Sequence, residues 1–368
     1  MSKSQFVLLF SVILIFAMGI LMVFNISSAD VLERKLSINP HSAALKQLSY
    51  AFVALICSFL CYQVGYRVFI RYSAVILIFL SFLLVLVFIP GIGQQINGAH
   101  RWLKIFGVSF QPSEFVKYAI PLYFIHVMTS DAKPTDFKQF IKFAAKFVIP
   151  AGLILIEPDN GTVGIIFMAL VALCILTKIK ALYWALPLFL CAVVVGSVAM
   201  QMKHVPDRIR IYLHPETDLK GKGHQPHQAK IAAGSGGIFG RGIGESMQKL
   251  NYLPEARSDY IAAIYAEECG FVGVVVLVLL YVAIGTAGFV MAINAAEIRA
   301  YYLLSIFAFL ICFQAFLNLG VVSGLLPSKG TNLPFFSQGG SSLFVNFIAL
   351  GLMLSAGAAE RKAVSYGK

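Results

Sequence analysis

Charge is what this chain has least of. Only 12% of its 368 residues are Asp, Glu, Lys or Arg, while 59% are hydrophobic. So few charges cannot cover a soluble domain of this length, whereas a bilayer accepts apolar surface without penalty. Metal-ligand and disulfide patterns are missing as well. All six cysteines fall in apolar runs, and Cys57 and Cys61, one helical turn apart, have no His nearby. They read as small packing residues. The glycine-rich stretch described below lacks the Gly-Lys-Ser/Thr of a nucleotide phosphate loop, which excludes that chemistry.

What is present is a series of long apolar runs. A helical span needs ~20 largely apolar residues. Runs of that kind occupy roughly 5–26, 48–69, 73–91, 113–129, 140–157, 161–178, 182–201, 260–292, 301–323 and 338–358. The expected fold is all-α and polytopic, a single transmembrane domain over 1–368 with about ten helices and a long extracytoplasmic loop, 202–257, between helices 7 and 8. Lys3 and the Ser27-Ser28-Ala29 triplet resemble a signal peptide, but the first run outlasts the ~7–15 residues of a signal core and reads as an uncleaved anchor.

Ten spans put both termini on one side. With that side cytoplasmic, inner segments carry 13 basic residues and the short outer loops six, as the positive-inside rule favours. The loop 202–257 breaks the pattern, with nine basic against five acidic residues. Long loops escape the rule, and the charge implies an anionic partner outside, either a substrate or lipid headgroups.

Four polar clusters lie at outer ends of spans. The first is Asn97-Gly98-Ala99-His100-Arg101-Trp102, followed by Gln111-Pro112-Ser113-Glu114 and Lys117. Pro112 suits the first turn of a helix, Glu114 sits where the macrodipole favours an anion, and Lys117 at i+3 can pair with it. Ionisable residues entering an apolar segment are costly and usually functional. Trp102 reads equally well as an interfacial anchor. The second cluster, Glu157-Pro158-Asp159-Asn160-Gly161-Thr162, is turn chemistry with two carboxylates that need a partner from elsewhere.

The third cluster is the long loop. Six glycines fall between Ala232 and Gly244, around Arg241. Such backbone can offer N–H groups to a phosphate, although a flexible linker is the better reading of the glycines alone. Tyr252-Leu253-Pro254-Glu255-Ala256-Arg257-Ser258-Asp259 then leads into the eighth span, where Asp259 is either a helix cap or a reactive carboxylate. Glu267 shares a broad face with it, and adjacent Glu267 and Glu268 cannot both face lipid. The fourth cluster, Leu326 to Ser342, has the prolines and glycines of a broken helix. Irregular backbone at membrane depth must be buried in protein or line a cavity. Gln314 and Asn318, upstream at i and i+4, read as interhelical glue.

These clusters, in this order and spacing, resemble the SEDS family of multi-pass peptidoglycan glycosyltransferases over nearly the whole chain. The matching patterns are Asn-Gly-x-x-Arg-Trp, Gln-Pro-Ser-Glu-x-x-Lys, Pro-Asp-x-Gly-Thr, the glycine-rich loop, Leu-Pro-Glu-x-x-x-Asp and Leu-Pro-Phe-x-Ser-x-Gly-Gly-Ser-Ser. Gln248 to Ala256 is more similar to the division-type branch, FtsW, than to the elongation-type branch, RodA. The chain departs from the pattern at Arg257-Ser258, where the family usually has His-Thr, at Glu157, where Gln is common, at His100, and over 329–332.

The resemblance implies an enzyme that polymerises lipid II on the outer face of the bacterial cytoplasmic membrane, in cell division. It implies Asp259 as the general base, or as ligand of a divalent cation such as Mg or Mn. The substrate would be met by Arg101, Trp102, Glu114, Lys117, Asp159, Arg241, Glu255, Ser337, Gly339, Gly340 and Ser341. Arg101, Lys117 and Arg241 would stabilise the departing pyrophosphate, with Glu114 orienting Lys117. The implied partners are a class B penicillin-binding transpeptidase and other division proteins; no nucleic acid is expected. The competing class is a lipid II flippase, but a transporter should show ionisable groups to both faces, and here the polar motifs crowd one side.

Overall fold

The computed structural model describes residues 1–33, 41–96, 99–105, 108–201, 206, 210, 212, 223–249, 256–328 and 330–365. The helices are α1 (Lys3–Glu33), α2 (Ser42–Val64), α3 (Tyr66–Arg71), α4 (Ser73–Leu86), α5 (Pro112–Met128), α6 (Phe137–Ile156), α7 (Asn160–Leu176) and α8 (Ala181–Gln201). They continue with α9 (His224–Ser235), α10 (Ile261–Ile293), α11 (Ile298–Val322) and α12 (Gly340–Ser365). Each of the ten apolar runs is largely helical. Six of those helices are long and apolar enough to cross a membrane, and α4, α7 and α8 supply shorter apolar stretches. The chain is a multi-pass α-helical membrane protein.

The second run, 48–69, is not one helix. It breaks at Gly65, whose φ of 90° is a left-handed geometry that glycine adopts at little cost. A three-stranded antiparallel sheet, β1 (Gly93–Ile96), β2 (Ala99–Ile105) and β3 (Val108–Phe110), fills the connection between α4 and α5. Its strands are too short to stand out against the apolar runs that flank them.

The sheet delivers the chain into α5, where Pro112 takes the first-turn position. That helix is buried on almost every side, packed against α4, α7, α11 and α12. Around it α12 packs on α2, and α10 on α1 and α11. Outward-facing positions of α2, α4 and α10 carry Phe, Val, Ile and Leu in the open, as expected of surfaces solvated by lipid tails rather than water.

α6 starts at Asp136, whose side chain accepts the Gln139 amide, and ends at Ile156, leaving Glu157 in the connection to α7. Asp159 caps α7 by accepting from the Thr162 amide. Toward the end of the chain, the described residues between α11 and α12 form no helix or strand, yet Leu333, Phe335 and Phe336 among them are fully buried. Broken backbone buried in protein is what the prolines and glycines there led us to expect.

Candidate functional site

Asp259 immediately precedes α10, whose N-cap position is taken by Tyr260. Its surroundings are set by the irregular segment before α12. The Asn318 side-chain amide donates both to the Asp259 carbonyl at 2.8 Å and to the Thr331 carbonyl at 2.6 Å. Ser337 Oγ donates to the Ser258 carbonyl at 2.6 Å, and the Gln338 amide to the Arg257 carbonyl at 2.9 Å. Tyr260 and Ser328 hydroxyls are paired at 2.9 Å. Gly330 lies against the carboxylate itself: a Cβ there would stand 2.8 Å from Asp259 Oδ2.

The α6–α7 turn closes on the same place. A Cβ on Gly161 would meet Thr331 Cγ2 at 3.2 Å and the Gly330 carbonyl oxygen at 3.9 Å. Arg101, on β2, reaches across to this turn, donating Nε to the Glu157 carbonyl at 2.9 Å and a terminal nitrogen to the Pro158 carbonyl at 2.6 Å. The two carboxylates of the turn behave differently. Asp159 is spoken for: Thr162 Oγ1, Ser113 Oγ and Gln111 Nε2 approach Oδ2 at 2.8, 3.3 and 3.4 Å. Its visible task is to join α5 to α7. Glu157 is fully buried, and neither carboxylate oxygen has a hydrogen-bond partner among the described residues. Burial pushes its pKa up to about 9, the Asp159 charge adds to the rise and Arg101 opposes it. At neutral pH Glu157 is therefore a neutral acid.

Glu114 and Lys117 meet as the i, i+3 spacing predicts. Lys117 Nζ lies 2.7 Å from Glu114 Oε2 and also 2.7 Å from Gln314 Oε1, with its side chain almost wholly inside the protein. Gln314 passes the connection on to the Asn332 carbonyl at 2.8 Å. Gln314 is thus the interhelical glue expected of it, while Asn318 ties α11 to backbone carbonyls outside the helices, those of Asp259 and Thr331. Ser341 Oγ accepts the Gln111 amide at 2.9 Å, tying the start of α12 to the start of α5. Gly339 and Gly340 pack closely against the Asn332 side chain and the Tyr50 ring, which a Cβ would approach to 2.7 and 3.1 Å. Trp102 is half-buried on β2, paired with Gln94. Glu255, with Leu253 and Pro254, lies outside the described residues.

The glycine-rich stretch is not a flexible linker. Its first residues end α9, and the rest docks on α10 where that helix is interrupted at Gly270, with φ 67° and ψ −167°. The amides of Arg241 and Gly242 donate to the Glu267 and Glu268 carbonyls at 3.0 and 3.1 Å. A Cβ on Gly236 or Gly240 would stand 2.1 Å from the Ala266 or Glu268 carbonyl oxygen. Here glycine serves backbone-on-backbone packing.

Side chains complete the docking and pair two of the loop's nine cations. Ser246 Oγ donates to Glu267 Oε2 at 2.5 Å, Arg241 pairs with Glu267 at 3.3 Å, and buried Lys249 pairs with Glu268 at 3.1 Å. Lys249 also donates to Asn25 Oδ1 of α1 at 2.8 Å. These two glutamates answer the constraint seen in the sequence, that both could not face lipid. Asn25, Ser246 and Lys249 were not separable as a cluster in the sequence, because α1 and the loop are more than 200 residues apart.

Residues 5–362 match the family described as "Cell cycle protein", FTSW_RODA_SPOVE. A protein of Trichlorobacter lovleyi named "Probable peptidoglycan glycosyltransferase FtsW" is 35% identical, over 100% of this chain and 97% of its own. One of the same name from Coxiella burnetii is 34% identical over 92% of each. Among solved structures, a chain described under "Structural coordination of polymerization and crosslinking by a peptidoglycan synthase complex" superposes with a TM-score of 0.77, at 25% identity over 96% of this chain and 97% of that one. The rod shape determining protein RodA of Thermus thermophilus has the same fold, with a TM-score of 0.70, 24% identity and 96% coverage of both chains.

Proposed function

The chain belongs to the FtsW/RodA/SpoVE family of cell cycle proteins, and we propose from that premise that it is a peptidoglycan glycosyltransferase of the division-type branch. It joins lipid II units into glycan strands and releases undecaprenyl pyrophosphate. The active site faces outward from the cytoplasmic membrane, with both termini in the cytoplasm. The observation that carries the reading is the packing of the broken segment before α12 on Asp259 at the start of α10, with the α6–α7 turn meeting that same segment at Gly330 and Thr331.

Asp259 is the general base. It takes the proton of the acceptor sugar hydroxyl as that oxygen attacks the anomeric carbon and the bond to pyrophosphate breaks; a positioned base of this kind contributes ~10²–10⁴ in rate. Charge builds on the departing pyrophosphate, and preorganised cations stabilise it. Arg101 and Arg241 already hold backbone or carboxylate partners, so they act from anchored positions. Lys117 is buried on Glu114 and Gln314 and supports the site from behind, a different task from direct contact. Asp159 and Ser341 likewise hold the scaffold.

A divalent cation, if used, would be Mg or Mn. No cluster of three His, Cys, Asp or Glu side chains suited to a metal occurs among the described residues. Asp259 would hold such an ion, which would supply positive charge for the departing pyrophosphate. The partner is a class B penicillin-binding transpeptidase that crosslinks the new strand, with other division proteins around it.

The test is glycan synthesis from purified lipid II, by the chain alone and with its transpeptidase. Asp259→Asn should abolish polymer while leaving thermal unfolding unchanged. Near-normal polymer from that variant removes Asp259 as the base.

A further inference from the structure

Residues 236–247 carry large apolar side chains that the docking on α10 does not use. Phe239 is 83% exposed and Ile243 78%, with Ile238 and Met247 exposed beside them. Four such side chains on one short segment make a patch that water disfavours, and patches of this kind mark an interaction surface.

The position of the patch along α10 identifies what covers it. The Gly237 and Ile238 carbonyls accept from the Phe271 and Val272 amides at 2.9 and 3.1 Å, which fixes the tip level with those two residues. From Cys269 to Ile293 the helix has no charged side chain. A run of that length rises about 37 Å at 1.5 Å per residue, somewhat more than the ~30 Å hydrocarbon thickness. The upper boundary of the hydrocarbon therefore falls near Phe271 and Val272. Both are exposed, as are Val276 and Leu279 below them. The charged groups Glu267, Glu268, Arg241 and Lys249 lie just above.

We infer that residues 236–247 form an interfacial anchor. Ile238, Phe239, Ile243 and Met247 enter the headgroup–acyl boundary of the leaflet on the Asp259 side, and Arg241 sits at phosphate depth. The apolar tip continues the lipid-facing surface of α10, which favours the bilayer over a protein partner as its cover. The amides of Gly240, Arg241 and Gly242 all donate to protein carbonyls, and a headgroup–acyl boundary, unlike the hydrocarbon interior, still supplies water to the amides at the tip. An apolar tip flanked by a cation is the composition of an interfacial segment. Because the same segment is clamped to Glu267 and Glu268, the anchor holds the start of α10 at a fixed depth.

The experiment uses the full chain in nanodiscs of phosphatidylethanolamine and phosphatidylglycerol. Single variants Phe239→Cys, Ile243→Cys and Glu245→Cys carry the environment-sensitive dye NBD, with the labelled parent chain as blank for native thiols. Labels at 239 and 243 should emit blue-shifted, lose about half their intensity to lipids with a nitroxide near the headgroup, and resist aqueous iodide; the label at exposed Glu245 should do the reverse. Phe239→Trp with brominated lipids repeats the measurement without a dye. Iodide access at 239 and 243 equal to that at 245 overturns the inference. So does shielding that appears only when the transpeptidase is added, since that would make the patch a protein interface.

Discussion

Asp259 and Gly330 are in contact as carboxylate and bare backbone: a methyl group on residue 330 would stand 2.8 Å from Oδ2. A Cβ at that distance requires something to move, and the atom in its way is the end of the Asp259 side chain. Gly330→Ala should therefore push Asp259 aside while leaving the rest of the fold intact. We expect polymerisation to fall by about 10²-fold, the cost that a misplacement of about 1 Å can carry, with thermal unfolding close to that of the parent. Unaltered turnover would mean that the carboxylate position is not critical.

Glu157 supplies a pH-dependent prediction. Its folded pKa, about 9, stands far above the 4.5 usual for a glutamate in water, so the folded state binds the proton more tightly than the unfolded chain does. The stability associated with the neutral acid is complete below about 4.5 and is lost progressively as pH rises towards 9. Glu157→Gln keeps the shape and removes the titration. Its melting temperature should match the parent near pH 5 and exceed it increasingly between pH 6 and 9. Parallel curves would remove the buried neutral acid.

The Lys117–Glu114 pair predicts an asymmetry between single and double replacement. Lys117→Met leaves Glu114 buried without its cation, and breaking a buried pair in this way costs about 3–5 kcal/mol. Adding Glu114→Gln to it should recover part of the lost stability, read as thermal unfolding in detergent or nanodiscs. A double variant less stable than Lys117→Met would show that the carboxylate is held mainly by other groups.

Docking of the glycine-rich loop is open to a direct probe. Gly240→Ala places a methyl 2.1 Å from the Glu268 carbonyl oxygen, on a residue whose φ of 82° already disfavours any side chain. The loop should detach, and trypsin should cut at Arg241 much faster than in the parent. Lys249→Met, which strips Glu268 of its cation, should act in the same direction. Equal cleavage rates in all three chains would place the latch elsewhere.

Composition and run length alone determined that this is a multi-pass helical membrane protein, because apolar runs of bilayer length have few other stable destinations. Local spacing also determined the Glu114–Lys117 contact, since neighbours at i+3 and i+4 share a helix face. The motif order likewise sufficed to place the chain in its family.

Only the tertiary structure decided what the polar clusters do with one another. The sequence offered a turn for Asp159 and a cap or a reactive carboxylate for Asp259; in the fold Asp159 caps α7, while the Asp259 carboxylate lies against Gly330, a contact across 71 positions of sequence. The glycine-rich loop read as slack because glycine favours flexibility wherever nothing packs on it. It became a docked element only when Gly270 broke α10 and exposed carbonyls to receive it. Its basic residues likewise looked free to meet an anion until Glu267 and Glu268 were found to hold two of them. Sequence spacing reports neighbours within a helix; partners brought together by helix packing leave no such trace.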